Sequence, residues 1–160
     1  MSQWEASGKS NDWHTPKYIF EPMRLTFDLD VSAPKEGPRH VPCKSWRWCD
    51  GLEYPWYGTV WMNAPFGGRN GLKVWLDKFV KHHDGIALVP DRTSAPWFQS
   101  AAKQVAAILF ISPKVKFERF DGSIGRSPGT GTALMACGSN GIDALVNARS
   151  LGLLMFMSKA

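Results

Sequence analysis

The sequence predicts a single three-layer α/β domain whose sheet is mostly parallel and ends in an antiparallel edge. Three observations predict it. Short apolar runs at 60–62, 86–89, 107–111 and 132–137 have the length and continuity of strands covered on both faces. Amphipathic segments separate several of them: Leu72, Trp75, Leu76, Phe79 and Val80 recur at helical spacing opposite Lys73, Asp77, Lys78 and Lys81, and residues 97–105 outline a second helix. Strands that alternate with helices pack as a sheet between helical layers. Finally, 160 residues with 44% hydrophobic content suffice for one core, and neither a repeat nor a compositional break divides the chain.

In chain order, residues 1–12 are polar and read as a loose arm. Thr15 and Pro16 read as the N-cap and first position of a short helix whose apolar stripe is Ile19, Phe20 and Met23. Residues 26–31 alternate and end in acid, as in a strand that carries Asp28 and Asp30 on one face. Residues 34–57, dense in proline, cations and tryptophan, read as one long irregular loop. Lys44, Arg47 and the tryptophans around them make that loop the best candidate for nucleic-acid contact.

The run at 60–62 then stops at Asn63-Ala64-Pro65-Phe66-Gly67-Gly68. Ligands of open α/β sheets bind where the carboxyl end of a strand gives way to its loop. Here the Asn63 amide oxygen and the Ala64 carbonyl offer two acceptors for an exocyclic amino group, Phe66 offers a ring for a base to stack on, and Pro65 stiffens the turn. A polar loop with Arg69 leads to the helix over 72–80, which Asn70 caps and His82-His83-Asp84-Gly85 ends. The strand at 86–89 runs into Pro90-Asp91-Arg92-Thr93-Ser94, where Arg92 faces a phosphate or the substrate nucleotide and Thr93 or Ser94 caps the next helix. After the strand at 107–111, residues 114–119 alternate like an edge strand. A Gly, Ser and Pro-rich loop with Arg126 follows, then the strand at 132–137, a helix over 142–151 and a last strand or packed tail at 153–156.

Composition narrows the partners. A net charge of +5 favours a polyanion, since lysine and arginine displace counterions from phosphates. Eight tryptophans, several in polar surroundings, suit base stacking. Three cysteines and no secretory leader pattern point to a reduced, cytoplasmic setting, and no apolar run approaches the length of a membrane span. His14, His40, Cys43 and Cys49 lack zinc-ligand spacing, so no metal is expected. No Pro-Cys pair follows a strand, which argues against a cysteine nucleophile.

Four segments in order, Trp13-His14-Thr15-Pro16, Phe27-Asp28-Leu29-Asp30-Val31-Ser32-Ala33, residues 61–67, and Leu88-Val89-Pro90-Asp91-Arg92-Thr93 with Trp97-Phe98, resemble the phage-type, Dam-like DNA N6-adenine methyltransferases. The tetrad is similar to the (Asn/Asp/Ser)-Pro-Pro-aromatic motif of amino-methyltransferases. Ala64 departs from it, keeping the carbonyl but losing a proline's rigidity. The resemblance implies a shortened Rossmann-like S-adenosylmethionine-dependent methyltransferase fold and N6 methylation of adenine in double-stranded DNA by a protein of a phage or prophage in a bacterial host. It puts catalysis at Asn63, Ala64, Pro65 and Phe66, and cofactor binding at Thr15, Pro16, Asp28, Asp30 and Ser32, the last standing where the wider superfamily has a Gly-x-Gly turn. DNA contact falls to Arg92, Thr93, Arg69, Lys44 and Arg47. The alternatives are a catalytically degenerate relative that only binds nucleic acid, or a methyltransferase for cytosine N4 or RNA.

Overall fold

The organising feature of the fold is a set of three parallel pairings. In the computed structural model, which describes residues 13–65, 71–126 and 128–158, strand β2 (Phe27–Asp30) pairs in parallel with β3 (Cys43–Trp46) on one side and β4 (Val60–Met62) on the other. β4 pairs in parallel with β5 (Gly85–Pro90). The sheet continues through β8 (Thr132–Cys137), β6 (Ala107–Ile111) and β9 (Gly152–Phe156), giving the order β3-β2-β4-β5-β8-β6-β9. A separate two-residue ribbon joins β1 (Trp13–His14) to β7 (Glu118–Arg119). The arm at 1–12 and Phe66, Gly67, Gly68, Arg69 and Asn70 lie outside the described residues.

Helices cover both faces. On one, α2 (Gly71–His82) and α3 (Pro96–Ala102) pack Leu76, Phe79 and Phe98 against Val60, Met62 and Val89. On the other, α1 (Lys17–Phe20), the 3-10 turn Glu21–Met23 and α4 (Gly138–Asn147) pack Ile19, Phe20 and Leu145 against Trp61, Ile86 and Leu88. The all-buried patterns of β4, β5 and β8 follow from this double cover. α2 ends at His82 and is followed by His83, whose φ of 62° is left-handed, in the His-His-Asp-Gly run expected to end the helix.

Several expectations need correction. The antiparallel part is not confined to an edge: β8 lies inside the sheet, antiparallel to both β5 and β6, and β9 is antiparallel to β6. The crossover through α3 sets β6 one strand's width from β5, and the chain fills the gap by turning back without a second helix, which forces an antiparallel neighbour. Second, the long loop contains β3. Only Cys43–Trp46 is extended there, half-exposed at a sheet edge, so it carries no apolar run for a reader to find. Of the alternating stretch at 114–119, only Glu118–Arg119 pairs as a strand.

Third, α4 begins at Gly138 and ends at Asn147, and Arg149–Leu151 forms a separate 3-10 turn. Its first turn, Gly138-Ser139-Asn140-Gly141, looks like a loop in sequence. The glycine is required by approach: a Cβ on Gly141 would lie 2.6 Å from the carbonyl oxygen of Gly85. Gly141→Ala should therefore push α4 off the start of β5 and destabilise the protein by about 2–3 kcal/mol in urea unfolding. A cost below 0.5 kcal/mol would mean that the helix seats without that contact.

Candidate active site

Because β3, β2, β4 and β5 are parallel, their carboxyl ends share one rim. The chain leaves β2 for β3 on one side and later enters β4 on the other, so strand order reverses between β2 and β4. In sheets of this kind the strand ends at such a switch point border a crevice, and ligands sit there.

β2 delivers Asp30 and Ser32 to it. Asp30 is 3% exposed and pairs in register with Trp61, and the Val31 amide donates to the Trp61 carbonyl at 3.0 Å. Oδ1 of Asp30 accepts the Ser32 amide at 3.1 Å. Burial pushes the Asp30 carboxyl up to about 7, against the opposing pull of that single amide. Beside it, the buried Ser32 hydroxyl has no hydrogen-bond partner among the described residues. Asp28, two residues back, is already engaged. Lys44 Nζ donates to it at 2.8 Å and the Thr59 amide at 2.9 Å, and these bonds hold its carboxyl below the usual range. The two acids are thus divided: Asp30 stands at the rim, Asp28 braces β2 against its neighbours.

β4 delivers Asn63, two residues beyond the register partner of Asp30 and half-buried. Its Nδ2 donates to Thr15 Oγ1 at 3.3 Å, which leaves Oδ1 as the end free to accept. Thr15 is not a helix cap: Pro16 occupies the N-cap position of α1, and no side chain caps that helix. The threonine is instead 5% exposed, held beside β4 by the β1–β7 ribbon. That ribbon is fastened in turn, as His40 Nε2 meets Glu118 Oε2 at 2.8 Å and Arg39 Nη1 donates to the Arg119 carbonyl at 2.9 Å. Ala64 is 2% exposed, Pro65 is exposed, and Phe66 and Arg69 lie outside the described residues.

β5 runs farther than β4. Met62 pairs with Ala87, so Pro90 extends three residues past it, roughly 10 Å in a strand. Asp91, Arg92 and Thr93 form a turn above the Asn63 level, with the Thr93 amide donating to the Asp91 carbonyl and the Ala95 amide to the Arg92 carbonyl. Neither Thr93 nor Ser94 caps α3: the N-cap is Ala95, without a side-chain bond. Across from Pro90 stands Thr132, and the hydroxyls of Thr130 and Thr132 are buried without a partner among the described residues. Sequence reading passed over both as part of a loop and a core strand. Orphaned hydroxyls appear only once their neighbours are known.

The structure therefore gathers Thr15, Pro16, Asp30, Ser32, Asn63 and Ala64 at the β2–β4 crevice and sets Arg92 and Thr93 beside it. Lys44 and Arg47 lie farther out, at the β3 edge. Lys44 is paired with Asp28, and the Arg47 guanidinium lies 4.1 Å from the centre of the Tyr54 ring. Among the described residues no three His, Cys, Asp or Glu side chains gather as a metal site. The Cys43 thiol, pushed up to about 11 chiefly by burial, is no nucleophile at neutral pH.

Residues 5–137 match the model of the family described as DNA N-6-adenine-methyltransferase (Dam), a span that takes in the whole crevice. No curated protein matches the chain, and no solved structure does.

Asp30 makes the site's cost measurable. Its carboxyl rises from 3.8 to about 7 on folding, so between those values the unfolded chain holds fewer protons than the folded one and stability falls as pH rises. The loss should reach at most about 4 kcal/mol and be complete above pH ~7. Asp30→Asn should thus stabilise the protein by about 1–3 kcal/mol at pH ~8 and by almost nothing near pH ~4 in urea unfolding. An equal effect at both pH values would count against a strained carboxylate.

Proposed function

The chain belongs to the DNA N-6-adenine-methyltransferase (Dam) family, and from that premise we propose that it methylates N6 of an adenine turned out of double-stranded DNA into the β2–β4 crevice, with S-adenosylmethionine as donor. The observation that carries this reading is the meeting of Asn63 with Thr15 beside Asp30. It joins the tetrad to both segments that the family likeness assigns to the cofactor. The parallel half of the sheet, switched at β2, supports a shortened Rossmann-like methyltransferase fold.

The crevice fits that cofactor. A buried carboxylate held by one amide lacks a cation, and a buried hydroxyl beside it lacks any partner. A ligand that carries an ammonium group and further polar atoms satisfies both. Asp30 would take the ammonium, Ser32 a neighbouring polar atom, and Thr15 and Pro16 would close the methionine end. When bound, S-adenosylmethionine supplies a methyl group made electrophilic by its sulfonium.

The remaining work falls to the chain. Adenine N6 is a weak nucleophile because its lone pair is shared with the ring. Hydrogen bonds from its two N–H groups to Asn63 Oδ1 and to the Ala64 carbonyl draw the nitrogen toward a pyramidal shape and return the lone pair to it, and the one N6 proton that methylation displaces passes to solvent. Thr15 fixes which end of the Asn63 amide faces the base. Pro65 stiffens the turn, Phe66 stacks on the adenine, and most of the rate comes from alignment. Arg92 and Thr93, with Lys44 and Arg47 farther out, contact the DNA backbone, and the family likeness assigns Arg69 to the same contact.

Asn63→Ala should lower methyl transfer to an adenine-containing duplex by about 10²–10³-fold or more. It should leave DNA affinity and the thermal shift caused by S-adenosylmethionine nearly unchanged. Asp30→Asn should abolish that thermal shift. Turnover retained in Asn63→Ala removes the tetrad from the mechanism. DNA binding by a wild-type protein that ignores the cofactor would identify a nucleic-acid binder instead.

A further inference from the structure

The outer edge of β9 is open among the described residues, and its pattern is self-complementary. We propose that two copies of this chain associate through antiparallel pairing of β9 with itself about a two-fold axis at Leu154, joining their sheets into one.

The hydrogen bonds fix the register. The Met157 amide donates to the Ala106 carbonyl and the Ser112 amide to the Leu151 carbonyl, so residues 151, 153, 155 and 157 bond toward β6. Gly152, Leu154 and Phe156 therefore turn their backbone groups outward. The Gly152 amide is already spent on the Arg149 carbonyl of the preceding turn. Left over are the Gly152 carbonyl and both groups of Leu154 and Phe156. Centring the axis on Leu154 answers this set: Leu154 exchanges two bonds with its symmetry mate, and each Phe156 amide reaches the opposite Gly152 carbonyl. A shift by one residue would set each outward-facing residue opposite a β6-facing residue of the other copy and lose all four.

The side chains agree with the same register. Leu153 is 64% exposed, Met155 49% and Phe156 62%, unusual exposures for three neighbouring large apolar residues. In the proposed pairing each Leu153 lies opposite the other copy's Met155 at a close, non-hydrogen-bonded site, and each Phe156 lies opposite Gly152, whose missing side chain leaves room for the ring. No charged residue occurs from 150 to 158, so two copies of a +5 chain meet there without like charges opposed. The other end of the sheet is guarded: β3 carries Lys44 and follows Pro42, the usual means of blocking an edge, whereas β9 has neither. These three side chains offer roughly 300 Å² per copy against about 800 Å² for a standard interface, so the dimer is a weak one, with a dissociation constant of about 10–100 μM.

The proposal is independent of methyl transfer, and sedimentation of the full-length chain across about 1–300 μM tests it. The expected result is a reversible monomer–dimer equilibrium, at least tenfold weaker in Leu153→Lys. Being exposed, that position can be changed without loss of the fold, which an unchanged melting temperature verifies. In a second measurement, with the exposed Cys49 replaced by serine, Leu153→Cys combined with Met155→Cys should yield a disulfide-linked dimer on mild oxidation, which Cys49→Ser alone should not. A chain that stays monomeric throughout, a dimer indifferent to Leu153→Lys, or a doubly substituted chain that forms no cross-link each overturns it.

Discussion

The parallel pairing of β2 with β4 is the constraint on which the site depends. Asp30 and Trp61 are register partners, and among the described residues the Val31 amide to the Trp61 carbonyl is the last bond before the strands part. A slip of one residue would turn Trp61 out of the apolar layer that it shares with Phe20 and Phe27, its ring 4.8 Å and 5.6 Å from theirs. Packing thus enforces the register, and the register sets how far apart Asp30 and Asn63 emerge. The chemistry at the rim inherits its precision from the core beneath it.

That precision is held at a cost. A buried carboxyl with one backbone donor, and hydroxyls at Ser32, Thr130 and Thr132 with no partner among the described residues, are features a chain selected only for stability would lose. They lie at strand ends on one side of the sheet, while the interior of β4, β5 and β8 is fully apolar but for Thr132. Unsatisfied polarity that stops where the apolar layer stops is the pattern expected of groups kept for a ligand.

How much of this could be read from the sequence follows the same division. Apolar runs at 60–62, 86–89, 107–111 and 132–137 announced the buried strands, because double cover leaves only one kind of residue there. β3 was silent because an edge strand of four residues, two of them exposed, makes no run at all. The start of α4 was misread because Gly141 answers to a carbonyl of β5, far away in sequence. Thr15 shows the limit most clearly. Before proline, a threonine reads as a cap, and nothing local says that its hydroxyl will instead hold an amide 48 positions later. Motifs told which residues belong at a rim; only the folded chain divided Asp28, spent on Lys44 and Thr59, from Asp30, which is buried and bonded to the Ser32 amide.

Under the proposed function, the cations that meet DNA are ones the fold already uses. Lys44 is the test case. Its side chain is 68% exposed and its bond to Asp28 is a surface ion pair, an interaction worth about 0–1 kcal/mol. Exchanging that carboxylate for a phosphate therefore costs little, and the Thr59 amide still holds Asp28 in place. Arg47 is similar: its guanidinium rests on Tyr54 through one face, while its backbone continues the pairing past Asp30 whatever the side chain does. The cations at the β3 edge are thus fastened firmly enough to be positioned and loosely enough to be given up. The anchors that fix the crevice, Trp61 and the β1–β7 ribbon, are not asked to move.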